Sequence, residues 1–517
     1  MTLLVHEDSG RVVSMATDAA GAGATLAQTI WLSGEVAPPA LCSGLGRCGA
    51  CRVRFLQGIP EPVEADSRVL GEGAVAAGWR LSCRHRVRSG MEVVLPPPPV
   101  ARTERVERVV TSCKVLLAVD LGTTSVQWQA SDSNGVFLRG QALNPQMGAG
   151  SDVVSRLGAA RTVAGRGVLR TLLLRFLQRI VAEVHAVAPD ATLELCVAGN
   201  TAMTAILLDL DTSGLAVAPY HLPTNGAGGE TVSLPGLPPV WVTPQPAPFV
   251  GGDISAGMAT LLFGQEPQFP FLLADLGTNG ECVLALDAER SVVTSVPLGP
   301  ALEGIGLTHG GVAQAGSVSG FRLDPKGLTP QVIGGGSAER LCGTGYVSLL
   351  DILLRTGFLT PGGRLAEGTT PLARRLRQAV RFDAQGAWYL PLPGEGLGLT
   401  AFDVEEILKV KAAFSLALEG LLQAAGVALQ EVRQVVLGGA LGEHAPVRAL
   451  ETLGFLPSGL GARVRSAGNT SLAGAALLLA RPELRAPLIR WSKQCQVLDL
   501  TAQADFTAQY MRHMVFG

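Results

Sequence analysis

The sequence predicts two folded parts: a small α+β domain at the N-terminus, then a larger α/β domain built from two similar lobes. Three observations lead to this prediction. Four cysteines lie among short strand patterns, a run of four prolines follows them, and one strand–turn pattern occurs twice in the remaining chain. A chain of 517 residues is long enough for about two to four domains.

Composition excludes several classes of protein. The 41 basic and 43 acidic residues nearly cancel, so we expect no nucleic-acid partner and no polybasic membrane surface. The longest apolar runs are shorter than the ~18 residues that span a bilayer. The first residues, "MTLLVHEDSG", are acidic where a signal peptide is basic. We therefore expect a cytoplasmic protein, whose clustered cysteines bind metal rather than form disulfides.

The four clustered cysteines have an informative spacing. Five residues separate Cys42 from Cys48, two separate Cys48 from Cys51, and 31 separate Cys51 from Cys83. Zinc ribbons use two C-x-x-C pairs, and two-cluster ferredoxins use consecutive short gaps, and neither pattern is present. The spacing predicts a loop around one [2Fe–2S] cluster and resembles that of vertebrate-type, adrenodoxin-like ferredoxins. Three glycines between the ligands are expected to adopt positive φ, so that N–H groups face the sulfides: Gly44, Gly46 and Gly49.

The segments around the cysteines predict a small β-grasp domain over residues 1–95. "TLLV" and "RVVSMA" predict a hairpin, "TLAQTIWLSG" a short helix that ends at Gly34, and "CRVRFLQG" and "MEVVLP" two further strands. Residues 96–113 are interpreted as a proline-rich linker, because prolines favour a stiff polyproline II conformation and the charged remainder lacks a core pattern.

The rest of the chain contains an internal repeat. Apolar strands starting at Lys114 and Phe269 each lead into D-L-G-T, a second strand, a polar turn and a third strand. Asp120 and Asp275 are 155 residues apart, about the length of a small α/β subdomain. We therefore predict one lobe over residues 114–268 and a second over residues 269–517, which together form a duplicated fold around a cleft.

The residues of the D-L-G-T turns suit phosphate binding. An aspartate at the end of an apolar strand is costly if it is dry and unpaired, but it can hold Mg²⁺ through water when it faces a cleft. The glycines let backbone N–H groups approach a phosphate, and the residues after them add donors. The expected contacts are Gly122, Thr123 and Thr124 in the first turn and Gly277, Thr278, Asn279 and Gly280 in the second.

Two further segments fit a nucleotide site. "VVLGGALGEH" predicts a strand that runs into a glycine turn, where Gly438 and Gly439 flank an adenosine. "GGDISAGMATLLFG" and "GNTSLAGAALLLA" predict two helices rich in small residues that cross closely. Asp253, at the start of the first of these helices, either caps that helix or positions the attacking water or the metal.

This second part resembles the superfamily of acetate and sugar kinases, seventy-kilodalton heat-shock chaperones and actin, whose lobes are both ribonuclease-H-like. Its five signatures occur in the expected order, at residues 120–126, 252–264, 275–281, 437–444 and 468–480. The resemblance implies an actin-like ATPase with ATP and Mg²⁺ as cofactors, and with Asp120, Asp275 and Asp253 as the catalytic carboxylates.

The whole chain resembles the reductive activators of corrinoid proteins. A [2Fe–2S] domain precedes the ATPase, and the motifs "GNTAMTAIL", "PLGPALEGIGLTHG" and "LCGTGYVSLLDILLRTG" follow in order. The resemblance implies a homodimer that takes electrons from an external low-potential donor. It implies ATP-coupled return of the Co(II) corrinoid protein of a methyltransferase system to Co(I). No corrinoid-binding "DxHxxG" signature is present, so the cobalt belongs to the partner.

Two other functions fit parts of the sequence. One is a redox-sensing small-molecule kinase of the sugar and acetate kinase superfamily, and the other is a non-catalytic ferredoxin-type electron carrier. His309 and His444 are interpreted as structural residues. The remaining cysteines are expected to be buried small apolar groups: Cys113, Cys196, Cys282, Cys342 and Cys495.

Overall fold

The fold comes from a computed structural model that describes residues 2–517 except 18–20, 22, 98–101, 107–109, 111, 224–228, 325–326, 384–385, 395 and 445. The chain forms two compact units. The first comprises Met1–Thr260 and Ser471–Ser492, and the second comprises Leu261–Thr470 and Lys493–Gly517.

The N-terminal part of the first unit is a five-stranded mixed sheet with the order β2-β1-β5-β3-β4 and a helix packed on it. Its elements are β1 Thr2–His6, β2 Val12–Ala16, α1 Leu26–Trp31, β3 Arg52–Gln57, α2 Glu64–Leu70, α3 Glu72–Ala76, β4 Trp79–Leu81 and β5 Glu92–Val94. Helix α1 begins where Thr25 and Gln28 form a capping box, and it buries Leu26 and Ile30 in the sheet's core. This arrangement confirms the predicted β-grasp fold, its hairpin and the presence of its helix. The helix ends at Trp31, with Leu32 as its C-cap, rather than at the predicted Gly34.

One strand lies within the predicted linker. Residues Arg102–Arg105 form β6, which pairs antiparallel with β9, Gly135–Leu143, at the edge of the next sheet. Their sequence, "RTER", has no apolar residue. It can still form a strand, since backbone hydrogen bonds alone can hold a strand at the edge of a sheet. This part of the predicted linker is therefore a strand of the sheet rather than an unpaired spacer.

The larger part of the first unit is built on a seven-stranded sheet with the order β11-β12-β10-β7-β8-β9-β6. Its further elements are β7 Lys114–Leu121, β8 Ser125–Asp132, α4 Val153–Ala160, α5 Val163–His185, β10 Thr192–Gly199, α6 Thr201–Leu207, α7 Ser213–Ala216, β11 Glu230–Val232, β12 Val240–Val242 and α8 Gly252–Gly264. Helix α5 buries Leu169, Leu173, Phe176 and Ile180, which recur at the helical period and so line one face.

The second unit is built on a six-stranded sheet with the order β23-β22-β13-β14-β15-β24. Its elements are β13 Phe271–Leu276, β14 Asn279–Ala285, β15 Ser291–Pro297, β16 Ser317–Asp324, β17 Gly327–Val332, β18 Arg340–Leu341, α9 Gly343–Arg355, α10 Pro371–Ala379, β19 Arg381–Phe382, β20 Trp388–Pro391, β21 Gly398–Thr400, α11 Ala401–Ala425, β22 Gln434–Gly438, α12 Gly439–His444, α13 Val447–Leu453 and β23 Val464–Ser466. The chain then forms α14 Thr470–Ala480, α15 Arg485–Gln494, β24 Gln496–Val497 and α16 Phe506–Arg512. Except at their outermost residues, α14 and α15 belong to the first unit.

The two large sheets repeat one topology. Five strands of the first, in the order β12-β10-β7-β8-β9, correspond to five strands of the second, in the order β23-β22-β13-β14-β15. In both, the strand that carries D-L-G-T has a parallel neighbour on one side and an antiparallel neighbour on the other. The duplication that the repeated motif predicted is therefore present. Within the described part of the chain, no helix combines the length and apolarity needed to cross a membrane.

Candidate functional site: paired cysteines and two D-L-G-T turns

The four cysteines that the spacing singled out lie in two pairs. Three are on the loop between α1 and β3, defined here as the cluster loop, residues 42–51, and Cys83 is on a short 3₁₀ turn after β4. The Sγ atoms of Cys51 and Cys83 lie 3.2 Å apart, with the Cys51 thiol donating. A second thiol–thiol hydrogen bond joins Cys42 and Cys48.

Within each pair, one cysteine has a lowered pKa and the other has a raised pKa. The hydrogen bond from Cys48 lowers the pKa of Cys42 to about 5, and that from Cys51 lowers the pKa of Cys83. In return, the same bonds, together with burial, raise the pKa of Cys48 and Cys51. Thiolates are the ligand form of cysteine, so a pair of thiols in which one has a lowered pKa is a donor set that a cation can occupy.

This arrangement fits a [2Fe–2S] cluster. Such a cluster takes four cysteines, two on each iron, and the structure offers two pairs. Among the described residues no three or more His, Cys, Asp or Glu side chains form a group suited to a metal ion, so the four cysteines lie as two pairs rather than as one four-ligand group. The positive φ angles predicted for Gly44, Gly46 and Gly49 are confirmed at 81°, 68° and 69°. At Gly46 a side chain would also meet Arg84, because an added Cβ would lie 2.8 Å from the Arg84 Cδ.

The first D-L-G-T turn, residues 122–124, joins β7 to β8, and Asp120 lies near the end of β7. The Ser471 hydroxyl donates to Oδ1 of Asp120 at 2.9 Å. Asp253, in the first turn of α8, is close enough that burial and the charge of Asp120 together raise its pKa to about 7. Asp253 is the second residue of α8, and its Oδ1 accepts a hydrogen bond from the Ile254 N–H at 2.9 Å. Two carboxylates held close together are a donor set for Mg²⁺.

Three side chains brace this turn, two through its carbonyl oxygens and one through the Thr123 hydroxyl. Nδ2 of Asn144 donates to the Gly122 carbonyl at 2.8 Å, and the guanidinium of Arg156 donates to the Thr123 carbonyl at 3.0 Å. Nδ2 of Asn200, the N-cap of α6, donates to Oγ1 of Thr123 at 2.7 Å. These bonds fix the direction of the turn's peptide groups. Gly122 is required here because an added Cβ would lie 2.7 Å from the Ser125 carbonyl oxygen.

The second turn, residues 277–278, joins β13 to β14 and packs against a glycine pair. Asp275 of β13 pairs in register with Gly438 of β22. Gly439 has a φ of 74°, and an added Cβ would lie 2.4 Å from Oδ1 of Asp275. The predicted adenosine glycines therefore let the backbone pass directly over this carboxylate.

The other predicted residues of the second turn have separate surroundings. The Thr278 hydroxyl donates to Oε1 of Glu303 at 2.8 Å. Asn279 and Gly280 open β14, where Gly280 pairs with Leu276 and leaves room for Leu298. At Gly277 the nearest atom to an added Cβ is Oδ1 of Asp275, at 3.5 Å, so steric crowding does not explain this glycine.

Several site residues were missed by sequence reasoning. Asn200 lies in "GNTAMTAIL" and Ser471 in "GNTSLAGAALLLA", but their hydrogen-bond partners are distant in sequence. Glu303 likewise lies inside a motif, "PLGPALEGIGLTHG". Arg156 carried no signal, because a charged residue within a helical pattern is ordinarily solvent-exposed.

The structure corrects part of the expectation for the other cysteines. Cys196, Cys282 and Cys342 are buried as predicted, whereas Cys113 is exposed and Cys495 is half-buried. Cys113 lies just before β7, at the end of the linker, where no apolar face covers it. His309 is half-buried beside Tyr389, with ring centroids 6.1 Å apart, and desolvation lowers its pKa.

Comparison with known proteins assigns all three parts of the chain. The family "2Fe-2S iron-sulfur cluster binding domain" matches residues 16–88, "RACo middle region" matches residues 115–265, and "C-terminal domain of RACo the ASKHA domain" matches residues 270–517. The protein "Corrinoid activation enzyme RamQ" of Eubacterium limosum is 28% identical over 424 residues, which are 78% of this chain and 70% of that protein.

Two more relatives agree. The "[Co(II) methylated amine-specific corrinoid protein] reductase" of Methanosarcina barkeri is 26% identical over 246 residues, 43% of this chain and 41% of that protein. The solved structure of "Reductive activator for corrinoid,iron-sulfur protein" superposes with a TM-score of 0.67 at 20% identity, over 100% of this chain and 98% of that one. This structural likeness establishes a shared fold.

The fold and the site define an iron–sulfur protein in which a [2Fe–2S] ferredoxin domain is fused to an actin-like ATPase fold. Matches to two RACo families and to the ferredoxin family specify it further. The chain belongs to the RACo family of reductive activators of corrinoid proteins.

Proposed function

We propose that this protein uses ATP to return an inactive Co(II) corrinoid protein of a methyltransferase system to Co(I). The observation that carries this proposal is that paired cysteines and a braced D-L-G-T turn lie in one compact unit. The names of two relatives, a corrinoid activation enzyme and a Co(II) corrinoid protein reductase, support the same reaction. The electron comes from an external low-potential donor, and the protein acts in the cytoplasm as a homodimer.

The four cysteines hold the redox group. Cys42 and Cys48 would hold one iron, and Cys51 and Cys83 would hold the other, in line with the two hydrogen-bonded pairs. A [2Fe–2S] cluster supplies one-electron transfer, at about −400 mV in plant-type ferredoxins. The Co(II)/Co(I) couple of corrinoids generally lies lower, and each 59 mV of difference is about a factor of ten for one electron. Electron transfer from the cluster to Co(II) is therefore thermodynamically unfavourable, and ATP supplies the free energy that makes it possible.

Two carboxylates next to the first turn, Asp120 of β7 and Asp253 of α8, would organise the nucleotide's metal. Asp120, oriented by the Ser471 hydroxyl, would hold Mg²⁺ through water, and Asp253 would position the attacking water or the metal shell. The N–H groups and hydroxyls of residues 122–124 bind phosphate oxygens. In the other unit, Asp275 and residues 277–280 bind phosphate and metal likewise, and Gly438 and Gly439 flank the adenosine.

ATP drives the reduction through differential binding. The nucleotide-bound protein favours a partner state in which Co(II) is easier to reduce, and hydrolysis of ATP to ADP and phosphate resets the complex. Only a difference in affinity between the two partner states can shift the equilibrium, so tight binding alone is insufficient.

The deciding experiment is anaerobic. A Co(II) corrinoid protein, a low-potential reductant and this protein are mixed with or without MgATP, and the Co(I) absorption band is followed. We expect the band to grow rapidly only with ATP, and Asp120→Ala and Asp275→Ala each to abolish ATP turnover while the cluster's spectrum is unchanged. Equal rates without ATP would refute the coupling. Phosphorylation of a small molecule in the absence of any electron donor would favour a kinase.

A further inference from the structure

The cluster loop is bonded directly to the ATPase part of the first unit at Ser43. This residue follows Cys42 and has a φ of 50°, one of two positive values among described residues other than glycine. Its hydroxyl donates to Oδ2 of Asp152 at 2.7 Å and accepts from the backbone N–H of Ser151 at 2.9 Å. A serine in the left-handed region is strained, so these bonds hold the loop in a conformation that it would otherwise leave.

Asp152 also begins helix α4. It is the N-cap of this helix, where Oδ1 accepts from the Ser155 N–H at 2.8 Å and Oδ2 accepts from the Ser155 hydroxyl at 2.7 Å. One carboxylate therefore orders both the cluster loop and the first turn of α4, and a shift of either changes the hydrogen bonds available to the other.

The same helix carries the brace of the phosphate turn. Arg156 is fully buried, and its guanidinium donates to the Thr123 carbonyl, to the Gly150 carbonyl at 2.6 Å and to Oε1 of Gln146 at 2.8 Å. A buried cation must keep its hydrogen bonds, because leaving it unpaired is strongly destabilising. Arg156 consequently transmits a displacement of Thr123 to α4 rather than absorbing it.

We propose that Ser43, Asp152 and Arg156 form a positioning relay through which nucleotide bound at the first turn alters the redox potential of the cluster. The relay runs from Thr123 through Arg156 and α4 to Asp152, and from Asp152 to the residue next to the ligand Cys42. Hydrogen bonds and geometry at the cysteines set cluster potentials, so a change at Ser43 is felt there. This inference rests on the proposed function, because it needs both the cluster and the nucleotide.

The test is a redox titration of the holoprotein, followed by the EPR signal of the reduced cluster, with and without a non-hydrolysable ATP analogue. In the unsubstituted protein we expect the analogue to change the reduced-to-oxidised ratio at a given potential at least threefold, a shift of about 28 mV at 59 mV per tenfold. By linkage, reduction should change the analogue's Kd by the same factor.

Two variants break the relay without unfolding the protein. Ser43→Gly removes the hydroxyl and tolerates the positive φ, and Asp152→Asn removes the charge but remains a good N-cap. In both we expect the nucleotide-induced change to fall below about 1.5-fold, a shift of about 10 mV by the same conversion. Ser9→Ala, which removes an exposed hydroxyl from the β1–β2 turn, should retain the full change.

A second readout needs no cluster. In the cluster-free protein we expect the analogue to slow hydrogen–deuterium exchange of residues 42–51, and Ser43→Gly to abolish this protection. The relay is refuted if the analogue leaves the potential of the unsubstituted protein unchanged, or if Ser43→Gly keeps the full shift. Either result would leave ATP-dependent cobalt reduction intact, so it is distinguishable from failure of the proposed function.

Discussion

Asp253 and Asp120 are two carboxylates that oppose each other's ionisation. Asp253 lies in the first turn of α8, and burial together with the charge of Asp120 raises its pKa to about 7. Ser471 donates to Asp120 but does not neutralise it. Two carboxylates that repel each other can bind a cation between them. Without a cation, their repulsion lowers the free energy of unfolding.

The cost of this pair can be measured with Asp253→Asn. The folded pKa of Asp253 lies above its ordinary value of 3.8, so the penalty is full above pH 7, declines as the pH falls and vanishes below about pH 4. A shift of this size corresponds to about 4 kcal/mol, and we expect Asp253→Asn to stabilise the protein by at least about 1 kcal/mol at pH 8. Calorimetric midpoints in EDTA, without nucleotide, at pH 8 and pH 5 test this.

The same substitution should slow ATP turnover. A variant that is more stable at pH 8 and still hydrolyses ATP at the full rate would contradict the role of Asp253 in placing water or metal. Equal stabilisation at pH 8 and pH 5 would contradict the electrostatic cause.

ATP binding should require glycine at position 439, because a larger residue would clash with the Asp275 carboxylate. Gly439→Ala places a Cβ 2.4 Å from Oδ1 of Asp275, whereas Gly426, with a similar φ of 64°, has no atom within 4 Å of an added Cβ. Both substitutions carry the same backbone strain of about 1–2 kcal/mol. Only Gly439→Ala should displace the carboxylate, so we expect it to weaken ATP binding at least tenfold in calorimetric titrations while Gly426→Ala binds normally.

Loss of a single ligand should abolish cobalt reduction. We expect Cys48→Ser to disrupt the cluster's visible spectrum and to stop Co(I) formation, with ATP turnover retained. Cys113→Ser is the matched control, because Cys113 is exposed and lies outside the cluster loop. Full activity of Cys48→Ser would remove the cluster from the electron's path.

Close packing of α8 and α14 gives a prediction about stability. A Cβ added to Gly474 would lie 1.8 Å from the Ala256 carbonyl oxygen, which bears out the close crossing expected from the small residues. We expect Gly474→Ala to destabilise by about 1–3 kcal/mol, as overpacking does. Gly158→Ala, at a helical position with no atom within 4 Å of the new Cβ, should be neutral or stabilising by up to about 1 kcal/mol. Thermal unfolding midpoints distinguish the two.

Much of the fold could be predicted because its elements follow simple periods. Helix α5 buries one regular face, the strands that carry Asp120 and Asp275 are apolar and largely buried, and the repeated D-L-G-T revealed the duplication. Strand β6 could not be predicted, since a charged edge strand buries no face of its own.

The site divides in the same way. Spacing identified the four cysteines, because a cluster imposes short, fixed gaps on its ligands. Contacts across long stretches of sequence leave no such trace: Ser471 lies 351 residues from Asp120, and Ser43 lies 109 residues from Asp152. Only folding brings these partners together.

The return of α14 and α15 to the first unit has a consequence for biosynthesis. Asp120 and α8 are synthesised long before Ser471 and Gly474. Until most of the polypeptide has emerged from the ribosome, α8 therefore lacks α14, the helix that packs against it. A gene fragment that stops at residue 268 would never receive these contacts, and its product should be recovered mainly in inclusion bodies. Co-expressing residues 469–517 as a separate peptide offers a route to rescue.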